Sequence, residues 1–320
     1  KTITCGVPQG SILGPLLCLI YVNDLATVSK KLFTLIFADD TNVFNTGTDV
    51  DKMCKEMNTE LEKLHTWIKA NRLSLNINKT NFMLFSPRNQ QNVSNVNVVI
   101  DKEHVSRVKE CKFLGVILDD RCTWEKHILY VKNKIAKCIG ILHKARKYLG
   151  RRYLIDLYNT LMLPYLNYCN VIWGNTAEKY LTPLFIMQKR AVRMICNLKK
   201  RDSTGTFFKD LSILKLYDLY KYFTLIFMFK FHHKMLPKIF QSFFSHNWEH
   251  HNYNTRQQLK LHVPKFRLQC RKSFIIYSGV ILWNNIIDKL STEVKISTFK
   301  TNLKKHFVDM YAICLQKFND

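Results

Sequence analysis

A pair of adjacent acids between two apolar runs limits most strongly what this chain can fold into. Residues 32–36 are apolar or β-branched, Phe37-Ala38-Asp39-Asp40 follows, and residues 41–44 return to strand-forming residues. This pattern predicts two strands joined by a tight turn, with both acids at the tip. Neighbouring carboxylates repel each other, and a hard divalent cation such as Mg²⁺ removes that repulsion. The hairpin therefore predicts a metal site, although Asp-Asp is also ordinary turn chemistry.

A loop of small and turn-forming residues precedes this hairpin. Residues 6–17 are Gly-Val-Pro-Gln-Gly-Ser-Ile-Leu-Gly-Pro-Leu-Leu. The backbone of such a loop can approach another molecule closely, because glycine has no side chain. Residues 16–22 are apolar and predict a buried helix or strand, which periodicity cannot distinguish.

The loop and the acid pair together resemble, in order and spacing, two blocks of the reverse transcriptases of non-LTR retrotransposons, the LINE-like and jockey-like elements. Two further blocks follow in the family's order. Residues 75–80 (Leu-Asn-Ile-Asn-Lys-Thr) with residues 83–85 resemble the box that carries the family's lysine, and residues 113–116 with Trp124 and His127 resemble the strand pair that grips the primer. The resemblance is firm over residues 1–127 and continues more weakly through residues 164–168, 172–174 and 282–284.

This resemblance implies an RNA-directed DNA polymerase that joins a primer 3′ hydroxyl to the α-phosphate of a deoxynucleoside triphosphate. Two Mg²⁺ ions stabilise the attacking and leaving oxygens in such a reaction. The implied metal ligands in this chain are Asp39 and Asp40, and the implied partners are an RNA template, a DNA primer and deoxynucleoside triphosphates. The resemblance also implies an intracellular location, in the nucleus and cytoplasm.

Three further sets of residues receive roles from the resemblance. Gln9, Gly10 and Ser11 would approach the templating base pair and the incoming nucleotide, unless this segment only initiates a helix. Lys79 would protonate or stabilise the departing pyrophosphate, unless it is a surface lysine after a strand. The primer strand would be set by Phe113, Leu114 and Gly115, of which the first two are also candidates for the core.

The family's remaining metal-binding aspartate lies on a strand upstream of the loop at residues 6–14. The chain begins at Lys1, directly before that loop and without a methionine, so we expect a truncated chain. Asp24 does not replace the missing aspartate, because residues 21–25 match the family at their own position. Two carboxylates from one hairpin are too few to hold two Mg²⁺ ions in octahedral geometry. We therefore expect that this chain alone does not polymerise DNA.

Charge is distributed unevenly along the chain, whose net charge is +25. Residues 1–120 contain 14 basic and 13 acidic residues, whereas residues 121–320 contain 35 and 11. This asymmetry predicts a polyanionic partner for the C-terminal part. The alternative is a basic surface that serves only solubility.

The expected fold class is α+β: a partial right-hand polymerase palm, with an antiparallel sheet backed by helices, and then a mostly helical thumb and C-terminal region. Residues 51–70 have helical periodicity, with Asp49 or Asp51 as the cap. Residues 72–85 predict a turn and then a strand, residues 90–97 a hairpin loop, and residues 96–100 and 112–118 two strands. The expected domains are residues 1–125 (partial palm), 126–202 (thumb-like) and 203–320 (basic and mostly helical).

Helical apolar stripes with basic residues beside them occupy the segment after residue 125. One stripe runs from Ile128 to Leu149, and another from Leu184 to Leu198. The basic faces predict contacts with a nucleic-acid backbone, although solvated charged faces are common. The candidate residues are Lys132, Lys137, Lys144, Lys147, Arg190, Arg193, Lys200 and Arg201.

Three other classes of protein are disfavoured by the sequence. The ten cysteines form no Cys-x-x-Cys pair, so we expect reduced thiols, no disulfides and no zinc ribbon. No apolar run is long enough to span a membrane, and residues 222–229 predict a core helix. Residues 246–250 match the His-x-x-Glu-His pattern of inverted zinc proteases, but they lie in a polar loop, where short patterns match by chance.

Two alternatives to the polymerase remain at this point. The first is a nucleic-acid-binding remnant of a mobile element without catalysis, which predicts binding that depends on salt but not on Asp39. The second is a related polymerase such as an intron maturase, against which the matches at residues 172–174 and 282–284 argue.

Overall fold

The chain forms two compact units, residues 1–111 and 112–320. They are seen in a computed structural model, which describes residue 7 and residues 10–86, 96–250, 257–290 and 295–316. The three expected domains stay a prediction, since the contacts that divide the chain into two units do not test their boundaries.

Helices and short strands alternate in the first unit. A 3₁₀ turn at Asn23–Thr27 follows the first helix, and a second one spans Ile77–Lys79. The helices and strands are α1 (Leu13–Val22), β1 (Phe33–Phe37), β2 (Asp40–Phe44), α2 (Val50–Ala70), β3 (Asn81–Phe82), β4 (Val99–Ile100), β5 (Glu103–His104) and β6 (Ser106–Arg107).

The predicted amphipathic helix over residues 51–70 is confirmed as α2. Asp49 is its N-cap, and its carboxylate accepts the backbone N–H groups of Asp51 and Lys52 at 2.9 and 3.1 Å. The apolar face of the helix contributes Leu61 and Leu64 to the core of this unit. The capped helix is therefore the support on which the neighbouring hairpin is built.

A buried polar contact joins α2 to the segment before β1. The Ser29 hydroxyl donates to Glu60 at 2.7 Å, and the Lys63 ammonium binds the same carboxylate at 2.7 Å. Ser29 also accepts the backbone N–H groups of Lys31 and Leu32. Because Glu60 is buried and fully partnered, it fixes the point at which the chain enters β1.

The expected continuous antiparallel sheet is wrong. The described strands form four separate two-stranded sheets, of which β1–β2 and β4–β5 are antiparallel and β3–β6 is parallel. The strand expected over residues 72–85 is reduced to the two residues of β3, and the one expected over 96–100 to the two of β4. Most of the loop expected at residues 90–97 lies outside the described residues.

In the second unit, a β-ribbon at the unit boundary leads into helices. The strand expected over residues 112–118 is in fact two strands with a turn at Leu114 and Gly115. The elements are β7 (Glu110–Phe113), β8 (Val116–Asp119), α3 (Glu125–Ala145), α4 (Arg151–Leu157), α5 (Leu163–Asn167), α6 (Asn170–Trp173), α7 (Glu178–Ile195), α8 (Gly205–Asp210), α9 (Leu216–His232), α10 (Gln269–Lys272), α11 (Ile275–Leu290) and α12 (Ile296–Gln316).

Helix α3 packs on α7, and α9 packs on α11 and α12. The predicted stripes supply this core: Ile135, Leu142, Leu184 and Ala191 are buried. The prediction that the first stripe extends to Leu149 is wrong, because Leu149 lies beyond the end of α3 and is exposed. The core helix expected at residues 222–229 is confirmed as part of α9.

A buried amide lies at the centre of this bundle. The Gln188 Nε2 donates to the Tyr158 hydroxyl and to the Leu214 carbonyl, both at 2.9 Å, and its Oε1 accepts the Leu216 N–H at 2.9 Å. Burial raises the pKa of Tyr158 to about 12, so this phenol stays neutral. None of the described helices is both long and apolar enough to cross a membrane.

Candidate functional site

The acid pair lies at the end of the β1–β2 hairpin. Phe37 pairs with Asp40, so the loop consists of Ala38 and Asp39 alone, and Ala38 has a left-handed φ of 53°. The expectation that both acids occupy the turn is therefore half wrong, because Asp40 is the first residue of β2. Two-residue loops require such backbone angles, so the two acids occupy adjacent chain positions at a tight hairpin end.

Both carboxylates are exposed, and neither makes an ion pair with a residue that the structure describes. Their oxygens are the ligands that Mg²⁺ prefers, so the chemistry of the pair fits a divalent cation. The pair also lacks a third ligand: within the described ranges, no other His, Cys, Asp or Glu joins Asp39 and Asp40 in a cluster.

The hairpin packs on the first unit through one face only. Ile36 and Val43 contact the core that includes Leu61 and Leu64. The other face is apolar but exposed, and it consists of Phe33, Leu35, Phe37 and Phe44. Strand alternation places these side chains on opposite faces, so the acids lie at the end of a half-covered hairpin.

The loop before α1 is only partly described. Gln9 lies outside the described residues, Gly10 has a φ of 88° and open space around it, and the Ser11 hydroxyl accepts the Gly14 N–H at 3.0 Å. Ser11 thus helps to begin α1. The apolar helix is confirmed, but its burial is wrong: none of its residues is buried.

Lys79 ends the 3₁₀ turn at Ile77–Lys79. Asn76 precedes this turn, and its side chain accepts the Lys79 N–H at 3.2 Å. The ammonium is exposed and makes no ion pair within the described part of the chain. Its role in pyrophosphate departure stays a prediction.

The β7–β8 turn is held by a residue from the loop between α5 and α6. Leu114 and Gly115 both have left-handed φ values, 42° and 83°, as a two-residue hairpin requires. The Tyr168 hydroxyl donates to the Leu114 carbonyl, and a Cβ at Gly115 would lie 3.2 Å from Tyr168 Cε1. The close approach predicted at Gly115 therefore exists, but its partner in this chain is the Tyr168 ring.

His127, a buried residue of α3, contacts the same β7–β8 ribbon. The Nδ1 of His127 accepts the backbone N–H of Ile117 at 3.3 Å, and the ring packs edge-on against Trp173. Trp173 in turn donates to the Tyr168 carbonyl at 2.8 Å. Burial lowers the pKa of His127 to about 4, so the ring is neutral near pH 7. His127, Trp173 and Tyr168 all lie in the sequence motifs, but only the structure shows that the three side chains meet at the β7–β8 ribbon.

Most of the residues that were predicted to contact a nucleic-acid backbone are exposed and accessible to a ligand. Arg193 differs, because its Nε donates to the Asp202 carbonyl at 3.0 Å and its side chain is half-buried. The exposed ones are Lys132, Lys137, Lys144, Lys147, Arg190, Lys200 and Arg201. The second unit as a whole contains 36 basic and 13 acidic residues, a net charge of +23.

One cluster with metal-ligand chemistry lies away from the hairpin. The ligand atoms of Glu62, His65 and Asp101 are all within 4.8 Å of one another. The Lys69 ammonium binds Asp101 at 2.9 Å, and it lowers the pKa of that carboxyl. A cation from the chain itself therefore already neutralises this carboxylate.

The His-x-x-Glu-His segment is a capped turn. Glu249 accepts the backbone N–H of His246 at 2.8 Å, and the His246 ring contacts the Leu259 carbonyl at 3.1 Å. His250 contacts the Ser245 hydroxyl at 2.7 Å and stacks on His262. These side chains are used in local structure, and the described ones do not converge on a common point.

Comparison with known proteins agrees with the motifs. Residues 1–118 match the family "Reverse transcriptase (RNA-dependent DNA polymerase)". The chain is 25% identical over 224 residues to the probable RNA-directed DNA polymerase from transposon X-element of Drosophila melanogaster, which covers 68% of this chain and 24% of that protein. It is 24% identical over 229 residues to the RNA-directed DNA polymerase from mobile element jockey of the same species, which covers 68% of this chain and 25% of that protein.

A third relative is the Pol polyprotein from the type-1 retrotransposable element R1 of Bradysia coprophila. It is 28% identical over 182 residues, which are 55% of this chain and 18% of that protein. The chain thus spans about a quarter or less of the length of these relatives. No solved structure is significantly similar to it.

Proposed function

We propose that this chain is part of an RNA-directed DNA polymerase of a non-LTR retrotransposon, since residues 1–118 match the reverse transcriptase family and the chain is similar to polymerases of such elements. The observation that carries the proposal is the exposed Asp39–Asp40 pair at a tight hairpin end, inside the segment that matches the family. The substrates are a DNA primer on an RNA template and deoxynucleoside triphosphates. The first unit contains part of the palm, and residues 126–202 form the thumb.

In this proposal, Asp39 and Asp40 hold Mg²⁺ ions at the site of nucleotidyl transfer. When bound, the metal ions stabilise charge on the attacking and leaving oxygens. The left-handed Ala38 and the Phe37–Asp40 pairing keep the two carboxylates in register. Lys79 has an uncommitted ammonium that offsets charge on the leaving pyrophosphate. Phe113, Leu114 and Gly115 position the primer, and Gly10 and Ser11 lie near the nucleotide.

The metal site needs more ligands than this hairpin provides. Mg²⁺ requires near-octahedral geometry. Among the described residues, no further His, Cys, Asp or Glu forms a cluster with Asp39 and Asp40. We therefore propose that a further carboxylate completes the site and that this chain alone does not extend a primer.

Primer extension on an RNA template, with Mg²⁺ or Mn²⁺, tests the last point. We expect no extension by this chain. Clear extension that Asp39→Ala abolishes would show that the chain is sufficient, and would contradict the need for a further carboxylate.

Mn²⁺ binding, followed by electron paramagnetic resonance, tests the metal role independently of activity. We expect weak binding that the double variant Asp39→Asn/Asp40→Asn removes. The control is Asp24→Asn, an exposed acid of the same unit outside the hairpin. Unchanged binding by the double variant would overturn the role of the pair.

Nucleic-acid binding without catalysis is the second candidate function. The net charge of +23 on the second unit favours it, because that charge does not depend on the hairpin. It predicts salt-dependent binding to RNA that Asp39→Ala leaves unchanged. If complementing the chain with the remaining polymerase segments restores no extension, this second function replaces the first.

A further inference from the structure

The connection between α3 and α4 is a tight and rigid corner. Helix α3 ends at Ala145, whose carbonyl accepts the N–H groups of Tyr148 and Leu149 at 3.0 and 2.9 Å. Helix α4 begins after Gly150, whose carbonyl accepts the Leu154 N–H at 3.2 Å. Backbone hydrogen bonds on both sides therefore hold the backbone between the two helices.

Five cations surround this corner, and all of them are exposed. None makes an ion pair with an acid in the ranges that the structure describes. They are Lys144, Arg146, Lys147, Arg151 and Arg152. The nearest acid along the chain is Asp156, so the corner keeps a strong positive charge.

Two tyrosines project from the same corner. Tyr148 is 86% exposed and Tyr153 is 60% exposed. Neither hydroxyl has a hydrogen-bond partner among the described residues. Tyr158, which follows Tyr153 in the chain, differs from both. Its ring is fully buried and its hydroxyl accepts a hydrogen bond from Gln188. The rings of Tyr148 and Tyr153 are therefore accessible to a ligand beside the exposed cations.

A second basic segment lies at the same end of the bundle. Cys196 caps the end of α7, and α7 contacts α4, the helix that begins at Arg151. The chain continues from Cys196 directly into Lys199, Lys200 and Arg201, which are exposed. The two basic segments therefore adjoin two helices that contact each other, and the basic residues named in both segments are exposed.

We propose that this surface binds single-stranded nucleic acid, with the rings of Tyr148 and Tyr153 stacked on unpaired bases and the surrounding cations on phosphates. We call it the basic-aromatic corner and define it by the two tyrosines, the five cations and residues 199–201. The proposal deepens the proposed function, because it rests on the second unit as the nucleic-acid-binding part. It adds a stacking site and a preference for unpaired strands.

The combination of rings and charges favours a single strand over a duplex. In a duplex the faces of the bases are stacked on one another and only base edges, sugars and phosphates are accessible, so projecting rings would find no base face on which to stack. An unpaired base offers a free face to an aromatic ring, and stacking is tolerant of sequence. The corner is therefore expected to bind unpaired RNA or DNA of any sequence, such as template that is not yet copied.

The stacking role is tested with the full chain and a fluorescent oligonucleotide of about ten nucleotides, within the site sizes known for single-strand binders. Anisotropy titrations compare a single strand with a blunt duplex of the same length. We expect the double variant Tyr148→Ala/Tyr153→Ala to raise the Kd for the single strand by about tenfold or more, and to leave the Kd for the duplex nearly unchanged.

Two matched variants separate stacking from other effects. Tyr148→Phe/Tyr153→Phe keeps both rings and removes only the hydroxyls, so it should bind as the unchanged chain does. Trp248→Ala removes another exposed aromatic side chain of the second unit and should have no effect. Because both tyrosines are largely exposed, neither tyrosine variant should alter the thermal unfolding temperature.

The charges are tested through salt dependence. Lys147→Gln/Arg152→Gln should lower the slope of log Kd against log salt by about 1.4, at roughly 0.7 for each phosphate contact on a single strand. Lys304→Gln/Lys305→Gln removes two exposed charges from α12 and should leave the slope unchanged. The tyrosine variants should also keep the slope of the unchanged chain.

Four outcomes decide between the proposals. Equal loss on single strand and duplex in the alanine variant would overturn the stacking role, and so would no loss on either. Tyrosine-dependent binding of anionic lipid vesicles, without binding of the oligonucleotide, would replace nucleic acid by a membrane surface. If the unchanged chain binds neither nucleic acid, the nucleic-acid part of the proposed function fails as well.

Discussion

The Tyr168 hydroxyl donates a hydrogen bond to the carbonyl oxygen of Leu114, and its ring lies directly over Gly115. The two partners are 54 residues apart in the chain. Tyr168, which lies between α5 and α6, thereby holds the β7–β8 turn. The family resemblance predicts that this turn positions the primer. Residues of the helical bundle, and not only the ribbon itself, determine where this turn lies.

Tyr168→Phe should loosen the β7–β8 turn without disturbing the bundle. The variant loses one hydrogen bond at a partly exposed site, which should lower the free energy of unfolding by about 1 kcal/mol or less. Hydrogen exchange at the amides of residues 115–117 should become faster. Tyr165→Phe, a half-buried neighbour, serves as the control, and equal protection in both variants would contradict the role of Tyr168.

Gly115→Ala should be destabilising by about 1–2 kcal/mol, because a left-handed backbone and a crowded Cβ both oppose it. The new Cβ would lie 3.2 Å from Tyr168 Cε1 at a φ of 83°. Gly140→Ala is the matched control: it lies within α3 with nothing within 4 Å of its Cβ position, so it should stabilise by up to about 1 kcal/mol. Urea denaturation measures both changes, and a Gly115→Ala variant as stable as the control would be inconsistent with this geometry.

His127 should make the chain less stable in mild acid. Burial lowers its pKa to about 4 in the folded chain, against an ordinary value near 6.5 in the unfolded chain. Between these values the unfolded chain binds the additional proton, so the free energy of unfolding falls as the pH falls. The expected loss between about pH 6.5 and pH 4.5 is on the order of 2 kcal/mol.

Urea unfolding at several pH values checks this dependence. His127→Gln should have a clearly shallower pH profile, although burial also lowers the pKa of His232, so some slope should remain. His143→Gln, an exposed histidine on the same helix, should keep the original profile. Parallel profiles for all three proteins would show that His127 does not control the acid sensitivity.

Asp119→Ala should be strongly destabilising, because one buried carboxylate organises the entry into α3. Its oxygens accept the backbone N–H groups of Arg121, Thr123 and Trp124 at 2.9–3.2 Å. Removing it leaves several donors without a partner and should lower the free energy of unfolding by about 2–4 kcal/mol. Asp120→Ala, which alters the half-buried neighbouring acid, should cost less than about 1 kcal/mol. Thermal and urea unfolding measure both, and similar losses would argue against a special role of Asp119.

Local patterns were enough to locate several elements of this chain. The periodicity of residues 51–70 predicted α2, and Asp49 was a correct cap. The stripes after residue 125 predicted α3 and α7, since burying an apolar face determines which side of a helix faces inward. The two apolar runs around Asp39 and Asp40 predicted the hairpin, and the motifs predicted the resemblance to reverse transcriptases that the match of residues 1–118 confirms.

Burial and strand pairing could not be predicted in this way, because both depend on partners distant in the chain. Residues 16–22 look like core by composition, but within α1 no residue is buried. Residues 112–118 look like one strand, but the left-handed Leu114 and Gly115 turn them into a ribbon. Strand alternation fixes which residues share a face, and only tertiary contacts decide whether that face is covered.

The sequence by itself determined the chemistry of this protein: two adjacent carboxylates, a positively charged second unit and a set of motifs in one order. Each of these is a property of residues close together in the chain. The tertiary structure decided which distant residues serve them. It placed Tyr168, His127 and Trp173 around the β7–β8 turn, left Tyr148 and Tyr153 uncovered beside five cations, and engaged Arg193 in a local hydrogen bond. Such contacts arise from packing between separate helices, and packing is a property of the whole fold.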